Sequence, residues 1–239
     1  MEPTDKGVGC LLRCRRKKGC FLFFLAAALC ISVFRFGPQV FGRFFDRESN
    51  PEQKEAAERK ELVLVNFEHK LPEDCAPDLV ELDGIKMDVV TDRAYRKMRD
   101  AAKQDGISLW VSSGYRSVKR QEQLFKQEIK AYEKTAGTRK EAEAFAEKSV
   151  ARPGYSEHNT GLAIDLNGVL DSFDGTDAFR WLDAHAQEYG FILRYPKDKQ
   201  EITKIKYEPW HYRYVGTEHA RAMKQQNLCL EEYLASSGK

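Results

Sequence analysis

Residues 156–166 read SEHNTGLAIDL, a polar turn followed by a short apolar segment. Side chains alternate between the two faces of a strand, so the leucine and isoleucine side chains of this segment share one face and Asp165 lies on the other. An aspartate in such a strand is costly unless it is paired or bound to a cation. Because Gly161 can turn the chain just before the strand, His158 and Asp165 are expected to face one point.

The sequence EPWH, which begins at Glu208, places a second carboxylate near a second histidine. In a straight strand Glu208 and His211 would lie on opposite faces, so the chain must bend at Pro209 for both side chains to reach one site. Catalytic zinc usually takes three protein ligands from His, Asp, Glu and Cys and leaves one position open for water, whose proton a nearby base can take. The two histidines, Asp165 and Glu208 supply these groups and predict a hydrolytic zinc site.

Hydrophobic periodicity on either side of these motifs predicts helices and strands without regular alternation. Helices are predicted over residues 91–104, over a segment that follows the SGYRS turn at 113–117, and over 139–150, 177–189 and 217–226. Strands are predicted over 62–67, 107–112, 162–166, 191–194 and 210–215. Such a mixture is typical of an α+β fold, a small and mainly antiparallel sheet with helices packed on it.

The amino terminus differs in character from the rest of the chain. Residues 1–18 carry six basic and two acidic side chains, and residues 19–45 are largely apolar. A membrane helix needs roughly 20 apolar residues, and a basic flank stays on the cytoplasmic side. A cleaved signal peptide and a retained anchor both fit this pattern, but no small-residue cleavage site follows the apolar core, so we favour a single transmembrane helix. The predicted order is a cytoplasmic tail (1–18), a signal anchor in the cell membrane (19–45), a charged spacer (46–61) and an extracellular domain (62–239).

Charge and cysteine content indicate which binding partners and which disulfide bonds are expected for the exported part of the chain. The whole chain has a net charge of +2 and its first 18 residues contribute +4, six basic less two acidic groups, so the remainder sums to about −2. No basic face suggests nucleic acid as a partner. Only Cys75 and Cys229 lie in the exported part, where an oxidising compartment would permit a disulfide. The sequence gives no distance between them, so a bonded pair and two free thiols both remain open.

Three separated motifs resemble those of one protein family. They are SGYRS at residues 113–117 with Gln121, the pattern S-x-H-x-x-G-x-A-x-D at residues 156–165, and E-x-W-H-x-R-Y-V at residues 208–215. They are similar, in the same order, to motifs of the VanY-like D-alanyl-D-alanine carboxypeptidases, zinc peptidases of the LAS type that act in bacterial cell-wall metabolism. The resemblance covers about residues 62–235.

The resemblance implies a zinc enzyme that removes the C-terminal D-alanine from peptidoglycan stem peptides. It assigns functions to eight residues, which are the Zn²⁺ ligands His158, Asp165 and His211, the catalytic base Glu208, and the substrate-binding residues Arg116, Gln121, Ser156 and Trp210. Arg116 would hold the terminal carboxylate of the substrate. A guanidinium group suits this function because it pairs with a carboxylate through two charge-assisted hydrogen bonds.

The chain departs from the family pattern at Asn159 and Lys204, where glutamine and glycine are more usual. Neither is an implied ligand, so the departures concern only the details of the pocket. Three alternatives stay open: an L,D-carboxypeptidase that trims stem tetrapeptides with the same site, a zinc-containing wall-binding module without turnover, and a membrane-tethered structural protein that grips the wall. The sequence is compatible both with antibiotic resistance and with routine wall maintenance.

Overall fold

The computed structural model describes residues 51–238. The predicted cytoplasmic tail and signal anchor, residues 1–45, lie outside the described residues. Within residues 51–238, none of the helices combines the length and the apolar character that a membrane crossing requires.

The described part of the chain contains helices and strands in mixed order. The helices are α1 (Pro51–Glu61), α2 (Val89–Gln104), α3 (Val118–Tyr132), α4 (Arg139–Ala146), α5 (Asp177–His185), α6 (Gln200–Thr203), α7 (Thr217–Gln226) and α8 (Leu230–Ser237). The strands are β1 (Leu79–Leu82), β2 (Ile85–Asp88), β3 (Val111–Ser113), β4 (Ala163–Leu166), β5 (Phe191–Leu193) and β6 (His211–Tyr214). Short 3₁₀ turns occur at Glu157–Thr160, Asp171–Gly175, Ala186–Tyr189 and Lys197–Lys199.

Four of the strands form a sheet in the order β3-β4-β6-β5, and every neighbouring pair is antiparallel. This confirms the predicted α+β class with a small antiparallel sheet. In the centre of the sheet β4 lies beside β6, so that Asp165 is directly opposite His211 and Ala163 is opposite Arg213.

The two faces of this sheet bury different groups. One face carries Ile164, Leu166 and Tyr212, which are 0–1% exposed and pack with apolar side chains of α2 and α5. Burial of each such side chain contributes about 1.5–3 kcal/mol, so this face holds the helices on the sheet. The opposite face carries Asp165 and His211, as alternation along β4 and β6 requires. One face of the sheet is therefore left for polar groups.

Strands β1 and β2 form a separate antiparallel hairpin that the periodicity did not predict. The hairpin turns at Asp83 and Gly84, whose φ angles are 53° and 82°. An Asp-Gly pair suits the left-handed conformation of a two-residue hairpin turn. Helix α2 begins after Asp88, whose side chain accepts a hydrogen bond from the backbone N–H of Val90. This cap sets the start of the helix, and the helix predicted over 91–104 is confirmed.

The prediction of a strand at residues 62–67 is wrong. This segment is irregular, and the carbonyl oxygens of Glu61 and Val63 accept hydrogen bonds from Arg213 Nη2 at 3.0 and 2.9 Å. A buried guanidinium group thus satisfies these backbone groups in place of a neighbouring strand. The apolar side chains of the segment still pack against the core without β pairing.

Several predicted boundaries also shift. Strand β3 covers Val111–Ser113 rather than 107–112, and α4 ends at Ala146 rather than at 150. The helix predicted over 177–189 divides into α5 and a 3₁₀ turn. Residues 51–61, part of the predicted spacer, form α1. Periodicity locates an element through its buried face, whereas its ends depend on local hydrogen bonds.

Candidate active site

Three buried side chains converge at the polar face of the sheet. His158, Asp165 and His211 are each 4% exposed, and one possible ligand atom from each lies within 4.8 Å of the other two. His158 Nε2 is 3.4 Å from Asp165 Oδ2, and His211 Nδ1 is 3.4 Å from Asp165 Oδ1. The pairing of β4 with β6 brings Asp165 and His211 together, whereas His158 comes from the 3₁₀ turn before β4.

The ring of His158 is held by the backbone of the SGYRS turn. Its Nδ1 lies 2.7 Å from the carbonyl oxygen of Gly114. A carbonyl oxygen can only accept, so Nδ1 carries the proton and Nε2 faces Asp165. A Cβ at Gly114 would collide with the carbonyl oxygen of Lys86 on β2. Glycine therefore permits the close approach that aims this carbonyl at the histidine.

The turn between His158 and β4 forms as the sequence predicts. Gly161 adopts a φ of 73°, and a Cβ there would lie 2.9 Å from the backbone nitrogen of Asp88. Thr160 Oγ1 accepts a hydrogen bond from the backbone N–H of Leu162 at 2.9 Å. The left-handed glycine and this hydrogen bond together direct the chain from the turn into the strand.

Glu208 reaches the site because the chain bends before β6. The backbone N–H of His211 donates to the carbonyl oxygen of Glu208 at 3.2 Å and closes a turn around Pro209. Glu208 Oε2 then lies 3.2 Å from His211 Nδ1. The bend that the sequence required is confirmed. The Glu208 side chain is 21% exposed and keeps access to solvent.

Arg116 is tied to the turn that carries His158 through its backbone, and its side chain is held by Gln121. Its Nη1 donates to Gln121 Oε1 at 2.9 Å, and Gln121 Nε2 donates to the carbonyl oxygen of Ala151 at 2.6 Å. The backbone N–H of Arg116 donates to the carbonyl oxygen of His158 at 2.9 Å. Asn159 Nδ2 donates to the Arg116 carbonyl oxygen at 2.6 Å. Asn159, one of the two departures from the family pattern, therefore joins the two motifs.

Lys204, the other departure, has a φ of 58° and is exposed. This left-handed conformation is the one that glycine adopts most readily. The backbone thus explains why glycine is more usual here, and Lys204 is not among the residues that line the cleft described below.

All eight residues singled out from the sequence line one cleft of about 430 Å³. They are Arg116, Gln121, Ser156, His158, Asp165, Glu208, Trp210 and His211. Ser156 is 7% exposed, and Trp210 is half-buried and packs against the core below the cleft. The fold therefore brings the three separated motifs to one cavity.

Burial opposes charge in this site, and neighbouring groups counteract that effect. Burial acts against ionisation of Asp165, yet His158 and His211 hold the pKa of Asp165 below its ordinary value. Burial also acts against protonation of His211, yet the carboxylates of Glu157 and Glu208 raise the pKa of His211 to about 9. The carboxylates on both sides of the His211 ring, Glu157 at Nε2 and Glu208 at Nδ1, therefore favour a positive charge on this ring.

The donor set fits a divalent cation such as zinc. Two imidazole nitrogens and a carboxylate match the three protein ligands of catalytic zinc sites. Asp165 Oδ1 is buried and has no hydrogen-bond partner among the described residues. A buried acceptor of this kind is suited to a metal ligand.

Glu157 is a site residue that the sequence analysis missed. Its Oε1 lies 2.8 Å from Arg194 Nε and 3.1 Å from Arg213 Nη1, and its Oε2 lies 3.6 Å from His211 Nε2. Burial opposes its ionisation, but the two guanidinium groups hold the pKa of Glu157 well below its usual range. A glutamate in a polar turn is usually exposed, so only its position next to His158 could have drawn attention to it.

The cysteine pair that the sequence left open is not bonded. Cys75 and Cys229 are both free thiols, the first half-buried and the second buried. Burial raises the pKa of the Cys229 thiol to about 11, so this group stays protonated at neutral pH.

Comparison with known proteins agrees with this geometry. The VanY family model, described as D-alanyl-D-alanine carboxypeptidase, matches residues 84–217. The D-alanyl-D-alanine carboxypeptidase of Enterococcus faecalis is 41% identical over 194 residues, which cover 77% of this chain and 72% of the relative.

Similar solved structures include two of VanY proteins. A mutant of the vancomycin-resistance D,D-pentapeptidase VanY, in complex with Zn(II), aligns with a TM-score of 0.66 at 42% identity and covers 73% of this chain and 99% of its own. VanYB in complex with D-alanine-D-alanine aligns with a TM-score of 0.67 at 42% identity over 73% of this chain and 97% of its own. The LD-carboxypeptidase LdcB aligns with a TM-score of 0.67 at 37% identity over 74% and 87%. Because the family match spans more than half of the sequence, the chain belongs to the VanY family of D-alanyl-D-alanine carboxypeptidases.

Proposed function

We propose that this protein is a membrane-anchored zinc D,D-carboxypeptidase that removes the C-terminal D-alanine from peptidoglycan stem pentapeptides or their precursors. The observation that carries the proposal is that Arg116 shares one cleft with the His158, Asp165 and His211 side chains. The cleft combines a cation for a free carboxylate with donors for a metal ion, as a zinc carboxypeptidase requires. VanYB, solved with D-alanine-D-alanine, supports the choice of substrate.

Arg116 would bind the carboxylate of the terminal D-alanine. Gln121 holds Nη1 at 2.9 Å and Ser113 Oγ lies 3.5 Å from Nη2, so the orientation of the guanidinium group is restrained. The remaining N–H groups can form a bidentate pair with a carboxylate. Partial burial strengthens this pair, because the local dielectric constant is lower than that of water.

Glu208 would act as the general base and then as the general acid. A zinc ion held by the two histidines and Asp165 would lower the pKa of a water molecule and polarise the scissile carbonyl. Glu208 would take the proton of that water, and its position 3.2 Å from His211 Nδ1, beside the donor atoms, supports this function. The same carboxylate would return the proton to the amine of the departing D-alanine.

Ser156 and Trp210 would shape the pocket around the last two residues of the substrate. Both line the cleft. A serine hydroxyl can donate and accept a hydrogen bond with a peptide group, and an indole ring provides an apolar wall for an alanine methyl group.

An L,D-carboxypeptidase that uses the same site is the second candidate. The LD-carboxypeptidase LdcB aligns with the same TM-score as VanYB, 0.67. Both reactions release one D-alanine by the same chemistry. They differ in the configuration of the residue before the scissile bond, so the shape of the cleft beyond Arg116 would decide between them.

The test is incubation of the purified, zinc-loaded protein with stem pentapeptide and with stem tetrapeptide in separate reactions, with products identified by mass. We expect the pentapeptide to lose one D-alanine, and we expect a chelator to abolish this reaction until zinc is restored. The matched control is the same pentapeptide with a C-terminal amide. Its turnover should fall roughly 10- to 100-fold, because hydrogen bonds to a charged group contribute about 1.5–3 kcal/mol.

Each result has a distinct meaning. Trimming of the tetrapeptide alone would assign the protein to the L,D class with the same site. If zinc binds and neither peptide is cleaved, both candidates fail and a wall-binding module becomes the better explanation. Equal cleavage of the acid and the amide would refute the proposed function of Arg116.

Membrane anchoring is supported by the sequence of the amino terminus. The basic residues 1–18 followed by the apolar residues 19–45 are typical of a retained anchor with the domain outside the cell. We expect the full chain in the membrane fraction, and we expect protease added outside intact cells to digest the enzyme domain. A shortened chain in the soluble fraction would indicate a cleaved signal peptide instead.

A further inference from the structure

Glu157 has no part in the mechanism above, although it is adjacent to His158 in the chain. Its side chain is 1% exposed and is not among those that line the cleft. A carboxylate is costly to bury unless its charge is paired and its oxygens are hydrogen-bonded. Its position behind His211 therefore needs an explanation in terms of its contacts.

Two buried arginines compensate the charge of Glu157. Arg194 Nε donates to Glu157 Oε1 at 2.8 Å, and Arg213 Nη1 lies 3.1 Å from the same oxygen. Both guanidinium groups are 0% exposed. Arg194 is held in turn by Glu231 on α8, through two hydrogen bonds of 2.9 and 2.6 Å. Buried ion clusters are often no more stable than apolar side chains of similar volume, so stability alone does not explain this one.

The arginines contact one oxygen of Glu157, and the other oxygen faces His211. Glu157 Oε2 is 3.6 Å from His211 Nε2, and both atoms are buried without a hydrogen-bond partner among the described residues. A carboxylate accepts hydrogen bonds and so favours a proton on Nε2. Nδ1 of His211 then faces Asp165 and Glu208, at 3.4 and 3.2 Å.

The other histidine of the site also has an oxygen acceptor at the ring nitrogen that points away from Asp165, and this acceptor is within hydrogen-bond distance. His158 Nδ1 lies 2.7 Å from the Gly114 carbonyl oxygen, and its Nε2 faces Asp165 at 3.4 Å. Metal-binding histidines generally donate their second N–H to a carboxylate or a carbonyl group, which sets the tautomer and the orientation of the ring. Glu157 Oε2 has the corresponding position at His211 Nε2, at the longer distance of 3.6 Å.

We propose that Glu157 is a positioning residue for the metal site. Through Oε2 it holds the His211 ring with Nε2 protonated and Nδ1 directed at the metal, while Arg194 and Arg213 hold Glu157. The proposal rests on the zinc site of the proposed function. It gives a function to a carboxylate that does not line the cleft and is not an implied metal ligand.

The test measures the zinc affinity of the full chain by competition with a chromophoric chelator. The variant Glu157→Asp keeps the charge and shortens the side chain by one methylene, so the arginine pairs can persist while the oxygen is withdrawn from His211. The variant Glu157→Gln keeps the length and removes the charge. We expect both variants to bind zinc roughly 10- to 100-fold more weakly than the wild type. The KM for pentapeptide, measured with saturating zinc, should stay close to that of the wild type.

The matched control is Asp88→Asn. Asp88 is another fully buried carboxylate, and it contacts Lys60 Nζ at 2.9 Å and the backbone N–H groups of Asp78 and Val90. This variant should lower the melting temperature and leave zinc affinity unchanged. The Asp88→Asn control therefore shows whether a loss of stability by itself weakens zinc binding, or whether the loss at Glu157 is due to the position of His211.

A second readout needs no variant. In zinc-loaded wild-type protein with ¹⁵N-labelled histidine, the His211 ring should carry its proton on Nε2 and the metal on Nδ1. A proton on Nδ1, or variants at Glu157 that bind zinc as tightly as the wild type, would overturn the proposal. Wild-type protein that binds no zinc would overturn the proposed function instead, so the two failures are distinguishable.

Discussion

The two sides of the His211 ring differ in their surroundings. On the Nδ1 side, Asp165 and Glu208 face the cleft at 3.4 and 3.2 Å. On the Nε2 side, Glu157 lies in a closed cluster with Arg194 and Arg213, all 0–1% exposed. One histidine thus separates an open polar cavity from a buried ionic cluster.

The charged groups on the two sides of the ring differ in exposure and in pairing. The cleft is lined by four carboxylates and three cationic side chains, which are Glu128, Asp165, Asp171, Glu208, Arg116, Lys148 and Lys206. In the buried cluster, the carboxylates of Glu157 and Glu231 meet two arginines. Carboxylates that face an open cavity can bind a cation, whereas paired charges in the interior hold groups in place. In the proposals above, the groups on the Nδ1 side of His211 take part in the reaction, and the groups on the Nε2 side hold the ring in place.

The largest effect is expected on the cleft side, from Glu208→Gln. The amide cannot take a proton from water, so kcat should fall by a factor of roughly 10² to 10⁴. Zinc content and melting temperature should not change, because Glu208 is neither an implied ligand nor part of the buried cluster. Rates with pentapeptide and metal analysis on the same sample provide the measurement. A kcat close to that of the wild type would remove Glu208 from the mechanism.

The next effect is expected on the buried side, from Arg213→Met. Methionine leaves Glu157 with one compensating arginine and removes the donor for the Glu61 and Val63 carbonyl oxygens. Breaking a buried ion pair costs about 3–5 kcal/mol. A denaturant titration should therefore show a large loss in the free energy of unfolding.

The control for this variant is Arg139→Met. The Arg139 side chain is 68% exposed and pairs with Glu133 and Glu143 at the surface. Exposed pairs contribute about 0–1 kcal/mol, so this variant should unfold close to the wild-type midpoint. Equal losses in the two variants would mean that the buried cluster stabilises the protein no more than a surface pair does.

The smallest effect is expected from Glu231→Gln. Burial opposes ionisation of Glu231, but Arg194 and Asn66 hold its pKa below the ordinary 4.5. A carboxyl group with a lowered folded pKa stabilises the protein above its unfolded pKa and loses that contribution as the pH falls through the folded value. The wild type should exceed the variant by about 1–2 kcal/mol near neutral pH.

This difference in the free energy of unfolding should shrink as the pH falls below 4.5. Thermal unfolding of both proteins across this range measures it. A difference that stays constant with pH would show that the Glu231 charge does not contribute, and that the loss comes from packing.

Local patterns in the sequence were sufficient for His158, Asp165, Glu208 and His211, whereas the resemblance to the family supplied the four substrate-binding residues. The strand alternation predicts that Asp165 faces away from the apolar side, and Gly161 and Pro209 indicate the bends that bring His158 and Glu208 to the same point. These inferences need only residue type and spacing over short segments, and the observed turns agree with them.

Long-range contacts explain why the strand prediction over residues 62–67 was wrong and why Glu157 was missed. Residues 62–67 have the composition of a strand, but the carbonyl oxygen of Val63 bonds to Arg213, 150 positions later in the chain. Glu157 has the local pattern of an exposed turn residue, yet Arg194 and Arg213 enclose it. The pattern of residues within a short segment cannot predict which distant residues will contact that segment.

The sequence by itself determined the chemical groups of the site and the strand face that presents Asp165 and His211, because both depend on neighbouring residues. Only the tertiary structure decided that Asp165 lies opposite His211 and that Glu157 is buried behind that histidine. Strand register and burial follow from which distant segments pack together. Composition and periodicity constrain that choice but do not specify it.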